Sequence, residues 1–115
     1  MPGEVFIVNK YILKLGHKLK STWGETAIEA QGILACYGED RKQLIIYGLH
    51  PSSPVPPSAV CNWSVRLGAI FVPFADLPAY VDIVRNEKPV WARITSDDPN
   101  SMDLGTDMEP IGEGE

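Results

Sequence analysis

Residues 5–20 alternate between apolar and polar side chains. Val5, Ile7, Tyr11, Leu13, Leu15 and Leu19 occupy odd positions, and Lys10, Lys14, Lys18 and Lys20 occupy even ones. A helical stripe through Val8, Tyr11, Ile12, Leu15 and Leu19 also fits, but the β-branched start and Gly16 disfavour helix. One strand over 5–15 or beyond is the expectation, apolar on one face and basic on the other.

The next stretches repeat the signal. "TAIEAQGILACY" (26–37) alternates, "GEDRK" (38–42) reads as a turn, and "QLIIYGL" (43–49) is apolar on both faces, as a central strand is. Together 26–49 read as a β-hairpin. "HPSSPVPPS" (50–58) has four prolines in nine residues and must be a stiff loop, because proline gives a sheet no N–H. "AVCNWSVRL" (59–67) predicts a strand with Ala59, Cys61, Trp63, Val65 and Leu67 on one side, and "AIFVPF" (69–74) a short apolar strand.

One helix is expected near 76–88. Asp76 would cap it, Pro78 suits its first turn, and Pro89 would stop it. Leu77, Tyr80, Val81 and Val84 supply a single apolar stripe. "VWARITS" (90–96) predicts a strand with Val90, Ala92 and Ile94 inward and Trp91, Arg93 and Thr95 outward.

The sum is an α+β domain with a mostly antiparallel sheet of five to six strands and one helix. A helix of about three turns cannot cover both faces of such a sheet. Either the sheet curls into a half-barrel or a second copy covers the rest. The outward Trp91 and the even-parity Phe6, Val8 and Ile12 favour a homodimer.

Length and charge refine this picture. The chain has 115 residues, the size of one domain. Its net charge of −5 conceals an asymmetry: residues 95–115 hold seven acids and no Lys or Arg, which leaves the remainder at +2. The expected division is a domain over 1–96 and an acidic arm over 97–115 that the fold does not need. The first ten residues lack the basic start and long apolar run of a signal peptide, and no stretch approaches the ~18 apolar residues of a membrane helix, so a cytoplasmic protein is expected.

Candidate chemistry is sparse. There is no glycine-rich phosphate loop, no HExxH and no EF-hand pattern, so no metal or cofactor is expected. Cys36 and Cys61 alternate with apolar residues, as inert buried thiols do, although a thiol beside His50 would be a nucleophile pair. No catalytic residue is assigned, and the chain is read as a non-enzyme.

Two surfaces remain. Lys10, Lys14, Lys18 and Lys20, with Trp91 and Arg93 and extended by Lys42 and Arg66, would form a basic face for a partner. Single-stranded nucleic acid uses such faces, but the negative net charge and few outward aromatics (Phe6, Tyr37, Trp91) weigh against it. Trp63, Phe71, Phe74 and Tyr80 would line an apolar small-molecule cavity between sheet and helix. The leading expectation is a self-associating binding or assembly module, with a small-molecule-binding domain as the alternative.

Overall fold

The structure, a computed structural model, describes residues 3–106. The opening pattern does not make one strand. β1 (Gly3–Ile7) ends before Val8 and Asn9, and β2 (Lys10–Trp23) begins a different sheet. The Val8 N–H donates to Val90 O and the Asn9 N–H to Tyr37 O, both at 2.9 Å. The chain thus changes sheets in two residues while both donors stay paired.

β2 returns through Gly24 and Glu25 into β3 (Thr26–Tyr37). A two-residue hairpin loop demands positive φ, and Gly24 takes φ +62. β3 pairs antiparallel with β4 (Gln43–Leu49), so the expected hairpin over 26–49 is present and β4 is central. β5 (Val60–Asn62) and β6 (Leu67–Pro73) complete a five-stranded open sheet in the order β2-β3-β4-β6-β5, with β4 and β6 parallel. β7 (Val90–Thr95) and β8 (Asp103–Thr106) join β1 in an antiparallel sheet ordered β1-β7-β8. The α-helix α1 (Leu77–Asn86) follows β6 through a 3-10 turn at Phe74–Asp76. The described residues therefore form an α+β fold with one α-helix and two mostly antiparallel sheets, rather than one sheet of five to six strands. Among them no helix is long and apolar enough to cross a membrane.

Three local expectations change. β5 covers only three residues of the anticipated 59–67 strand, because the chain must reverse to lay Val60 opposite Ala69. A 3-10 turn at Trp63–Val65 and a left-handed Arg66 (φ 54) make that reversal. Asp76 precedes α1 but makes no side-chain cap bond, since the 3-10 turn runs directly into the helix. Residues 97–106 are built into the fold: Met102 is buried with Phe6, Leu44, Ala92 and Ile94, and β8 pairs with β7. The remainder of the anticipated acidic arm, 107–115, lies outside the described residues.

The large sheet is covered on both faces by different means. On one face α1 lays Leu77, Tyr80, Val81 and Val84 over Leu34, Cys36 and Ile46. Beside it the small sheet lays Phe6, Ala92 and Ile94 over Leu44. Glu4 of β1 also reaches the large sheet, pairing with Lys42 at 2.7 Å and with Arg66 at 3.8 Å. On the other face the β2–β3 hairpin tip curls inward, so that Trp23 meets Tyr47 and Phe71 edge-on at 5.8 and 6.0 Å between ring centroids. Ile28, Ala30, Leu49 and Ala69 complete that second cluster.

Close approach on the helix side depends on two missing side chains. Gly32 and Gly48 are cross-strand partners. A Cβ on Gly32 would stand 2.5 Å from Leu77 Cδ2 and 2.9 Å from Phe74 Cε1, and one on Gly48 would stand 3.1 Å from Phe74 Cδ1. Phe74 and Leu77 occupy the slot these glycines leave.

Three substitutions test this packing in urea unfolding. Gly32→Ala should lower the unfolding free energy by about 1–3 kcal/mol, the usual cost of overpacking. Gly105→Ala, whose new Cβ meets nothing within 4 Å, should change it by less than about 0.5 kcal/mol. Met102→Ala should cost about 2–5 kcal/mol, whereas an expendable arm beginning at residue 97 requires no effect.

Candidate interaction surface and pocket

β2 is an edge strand: among the described residues its only strand partner is β3. Two irregularities decide what it displays. Leu15 pairs with Gly32 and Leu19 with Ala30, so Gly16, His17 and Lys18 stand against Gln31 alone. β3 carries its own extra residue at Gln31, between the pairs Ala30–Leu49 and Gly32–Gly48. Paired residues point to the same side of a sheet, so the faces exchange at this bulge.

Before the bulge, Tyr11, Leu13 and Leu15 lie on the helix face opposite Cys36, Leu34 and Gly32. Lys10, Ile12 and Lys14 lie on the other face, with Lys14 opposite Ile33. After the bulge the assignment inverts. Leu19 joins Ile28 and Ala30 in the second core cluster, while Lys20 stands opposite Glu29 on the helix side. The four lysines therefore do not form one row: Lys10 and Lys14 share a face, Lys20 points to the other, and Lys18 sits in the bulge.

The rest of the anticipated basic face is dispersed as well. Trp91 and Arg93 belong to the small sheet, where Trp91 is opposite Ile7 and Arg93 Nη2 donates to Ser101 O at 2.8 Å. Lys42 is paired with Glu4, whose carboxylate hydrogen bond holds the lysine pKa above its ordinary value. The Arg66 guanidinium lies 4.0 Å above the Trp63 ring. Phe6, counted among the outward aromatics, is buried in the core, while its neighbours Val5 and Ile7 are 52% and 49% exposed. That inversion follows from β1 facing the large sheet from a second layer instead of lying within it.

The apolar face of β2 stays largely open. Tyr11, Leu13 and Leu15 are 39%, 37% and 64% exposed. They flank α1, and a groove of about 380 Å³ runs between Leu13 and Leu15 on one side and Val81 and Arg85 on the other. A second groove of about 610 Å³ lies between Tyr11 and Val84 near the sheet-to-sheet crossing. The free backbone edge and the grooves are adjacent along one strand.

The four residues expected to line a small-molecule cavity are separated. Trp63 packs against the Phe6–Leu44 cluster, and Tyr80 against Leu34 and Cys36. Phe71 and Phe74 do meet at a cavity of about 480 Å³, closed by Leu49, Val55 and Val72. It lies between the proline-rich loop and the end of β6, not between sheet and helix. The loop is held in place: the His50 N–H donates to Glu29 O, and Ser53 Oγ accepts from the Glu29 N–H, both at 2.9 Å. His50 Nδ1 accepts from the Ser52 N–H at 3.1 Å, and the His17 ring stands edge-on to it at 6.3 Å. His50 and Val55 were legible as loop residues but not as cavity walls, because nothing in their local pattern places the loop over β6.

The thiols remain apart from this chemistry. Cys36 is buried in the helix-side cluster, and desolvation pushes its pKa up to about 12. Burial also raises that of Cys61, against a smaller opposing effect of Arg66. Neither makes a hydrogen bond to a histidine among the described residues. Among those residues no group of three or more His, Cys, Asp or Glu is arranged to hold a metal ion.

No family model matches the chain, and neither a curated protein nor a solved structure matches it.

Burial of Cys36 predicts a pH effect. The thiol titrates ordinarily at 9.0 and in the fold at about 12. Between those values the unfolded chain ionises and the native one does not, so stability is complete below about pH 9 and is lost as pH rises. Urea unfolding at pH 8 and pH 10.5 should show this loss, and Cys36→Val should make it smaller.

Proposed function

We propose that this chain is a non-enzymatic protein-interaction module that accepts an extended segment of a partner along the free edge of β2. The observation that carries this reading is the strand itself: 14 residues at a sheet edge, with Tyr11, Leu13 and Leu15 exposed beside grooves. Strand addition supplies main-chain hydrogen bonds for affinity and places alternate side chains in pockets for specificity.

Charge selects the partner. β2 carries Lys10, Lys14, Lys18 and Lys20 and no acid. Edge lysines and a bulge are also what deter a sheet from pairing with its own kind. Two β2 edges would bring eight lysines together, whereas an acidic strand would meet them favourably. The partner class is therefore an extended segment alternating acidic and apolar residues.

A homodimer remains a second reading, on a different surface. Val5 and Ile7 are exposed on the outer side of the small sheet, in register with Arg93 and Trp91. Sedimentation velocity should then give about twice the 12.7 kDa chain mass, and Trp91→Glu should return it to monomer.

A synthetic decapeptide alternating Glu and Leu, followed by fluorescence anisotropy, tests the principal reading. It should bind saturably at 50 mM salt and more weakly at 500 mM. A Lys/Leu counterpart should not bind. Leu15→Asp and Lys14→Glu should each weaken binding at least fivefold, with little effect on folding because both side chains are exposed. Equal binding of the two peptides, or none by the acidic one, overturns the proposal.

A further inference from the structure

We propose that the cavity between the proline-rich loop and the end of β6 is a binding site for a small apolar monocarboxylate. The site is independent of the β2 edge, so its test can fail without touching that reading. Four observations carry it: size, wall chemistry, the placement of polar groups, and the rigidity of the loop.

The cavity holds about 480 Å³, within the ~300–1,000 Å³ typical of ligand sites. Its walls are Leu49, Val55, Phe71, Val72 and Phe74, enough to enclose one aromatic ring or a short branched chain. The two aromatic walls have fixed backing. Phe71 stacks on Tyr47 at 5.5 Å between centroids, and Phe74 is seated over Gly32 and Gly48. A ligand packing on these two rings quenches little of their freedom, which lowers the entropic cost of binding.

The polar lining is Gln31, His50 and Ser53, with no acid among the lining residues. Ser53 is already engaged: its hydroxyl accepts from the Glu29 N–H and donates to Pro54 O at 2.8 Å. His50 Nδ1 accepts the Ser52 N–H and lies 2.8 Å from Ser52 Oγ, which leaves Nε2 to carry the ring proton and face a ligand. Gln31, thrust out at the bulge, has no side-chain partner among the described residues. The available groups are thus an imidazole N–H and a carboxamide, both able to donate. Donors without a facing acid select a hydrogen-bond-accepting, negatively charged head over an ammonium.

The loop supports a preformed site. Its prolines restrict the backbone, and Ser53 N–H donates to His50 O at 2.9 Å to close a turn at its start. Its far end is fastened where Asn100 Oδ1 accepts the Ala59 N–H at 2.9 Å.

The test uses 4-phenylbutyrate and 4-phenylbutylamine, which share a body and differ in the head, with methyl NMR shifts as readout. The carboxylate should give saturable shifts at Leu49, Val55 and Val72, with the amine at least tenfold weaker. Ala75→Trp places bulk at the exposed rim and should abolish the shifts. His50→Phe keeps a planar aromatic ring but removes its N–H, and should weaken the carboxylate at least fivefold, leaving the amine unchanged. The unliganded spectrum of each variant confirms that it folds. Equal affinity for the two heads, no saturable shift, or shifts that survive Ala75→Trp would overturn the assignment.

Discussion

The seating of Phe74 and Leu77 against Gly32 and Gly48 fixes most of what surrounds it. Because the two glycines face each other across β3 and β4, the turn after β6 can drop onto the sheet instead of standing off it. That contact sets where α1 begins and which residues it covers. It also fixes Phe74 as a wall of the cavity under the proline-rich loop. On the opposite side of the same turn, it leaves Leu13 and Leu15 beside the helix without cover. One close approach thus shapes both the cavity under the loop and the groove beside Leu13 and Leu15, and a methyl group at Gly32 would disturb them together.

The bulge opposite Gln31 is the second organising element. Without the extra residues, Leu19 and Trp23 would share the helix face with Tyr11, Leu13 and Leu15, and the lysines would share the other face with Ile12. The inversion sends Leu19 and Trp23 to roof the second core cluster, which a single helix cannot reach. It also concentrates the exposed apolar groups in the first half of the strand, next to the grooves. Gly16 is the covalent trace of this device, since a glycine inside an alternating strand commonly marks a bulge.

Local pattern was a good guide wherever a segment pairs with its sequence neighbour or packs by its own period. The hairpin over 26–49, the central position of 43–49, the stripe Leu77–Tyr80–Val81–Val84, and the inward Val90, Ala92 and Ile94 all follow from residues close in the chain. Where the structure departs, the determinant is remote. Val5 and Phe6 trade sides because their partner is β7, nearly ninety residues away in sequence. The strand expected over 59–67 stops early because β6 recruits it in the reverse direction. Met102, inside an acidic stretch, is a core residue that composition alone reads as solvent-facing. The cavity was half legible: Phe71 and Phe74 were among the residues named for it, but Trp63 and Tyr80 serve other clusters, and the loop that closes it carries no pattern of its own.

The small sheet joins segments from opposite ends of the described chain, and this bears on biosynthesis. β1 leaves the ribosome ahead of β2 to β6 and α1, whereas its partner β7 and then β8 follow them. Until then Phe6 has no core to enter, and Val5 and Ile7 lengthen an unpaired apolar strand. The large sheet can assemble meanwhile from neighbouring hairpins, leaving Leu44 uncovered. Nascent chains of this protein therefore carry β1 as an unpaired apolar strand until β7 emerges, a transiently exposed edge of the kind that promotes aggregation.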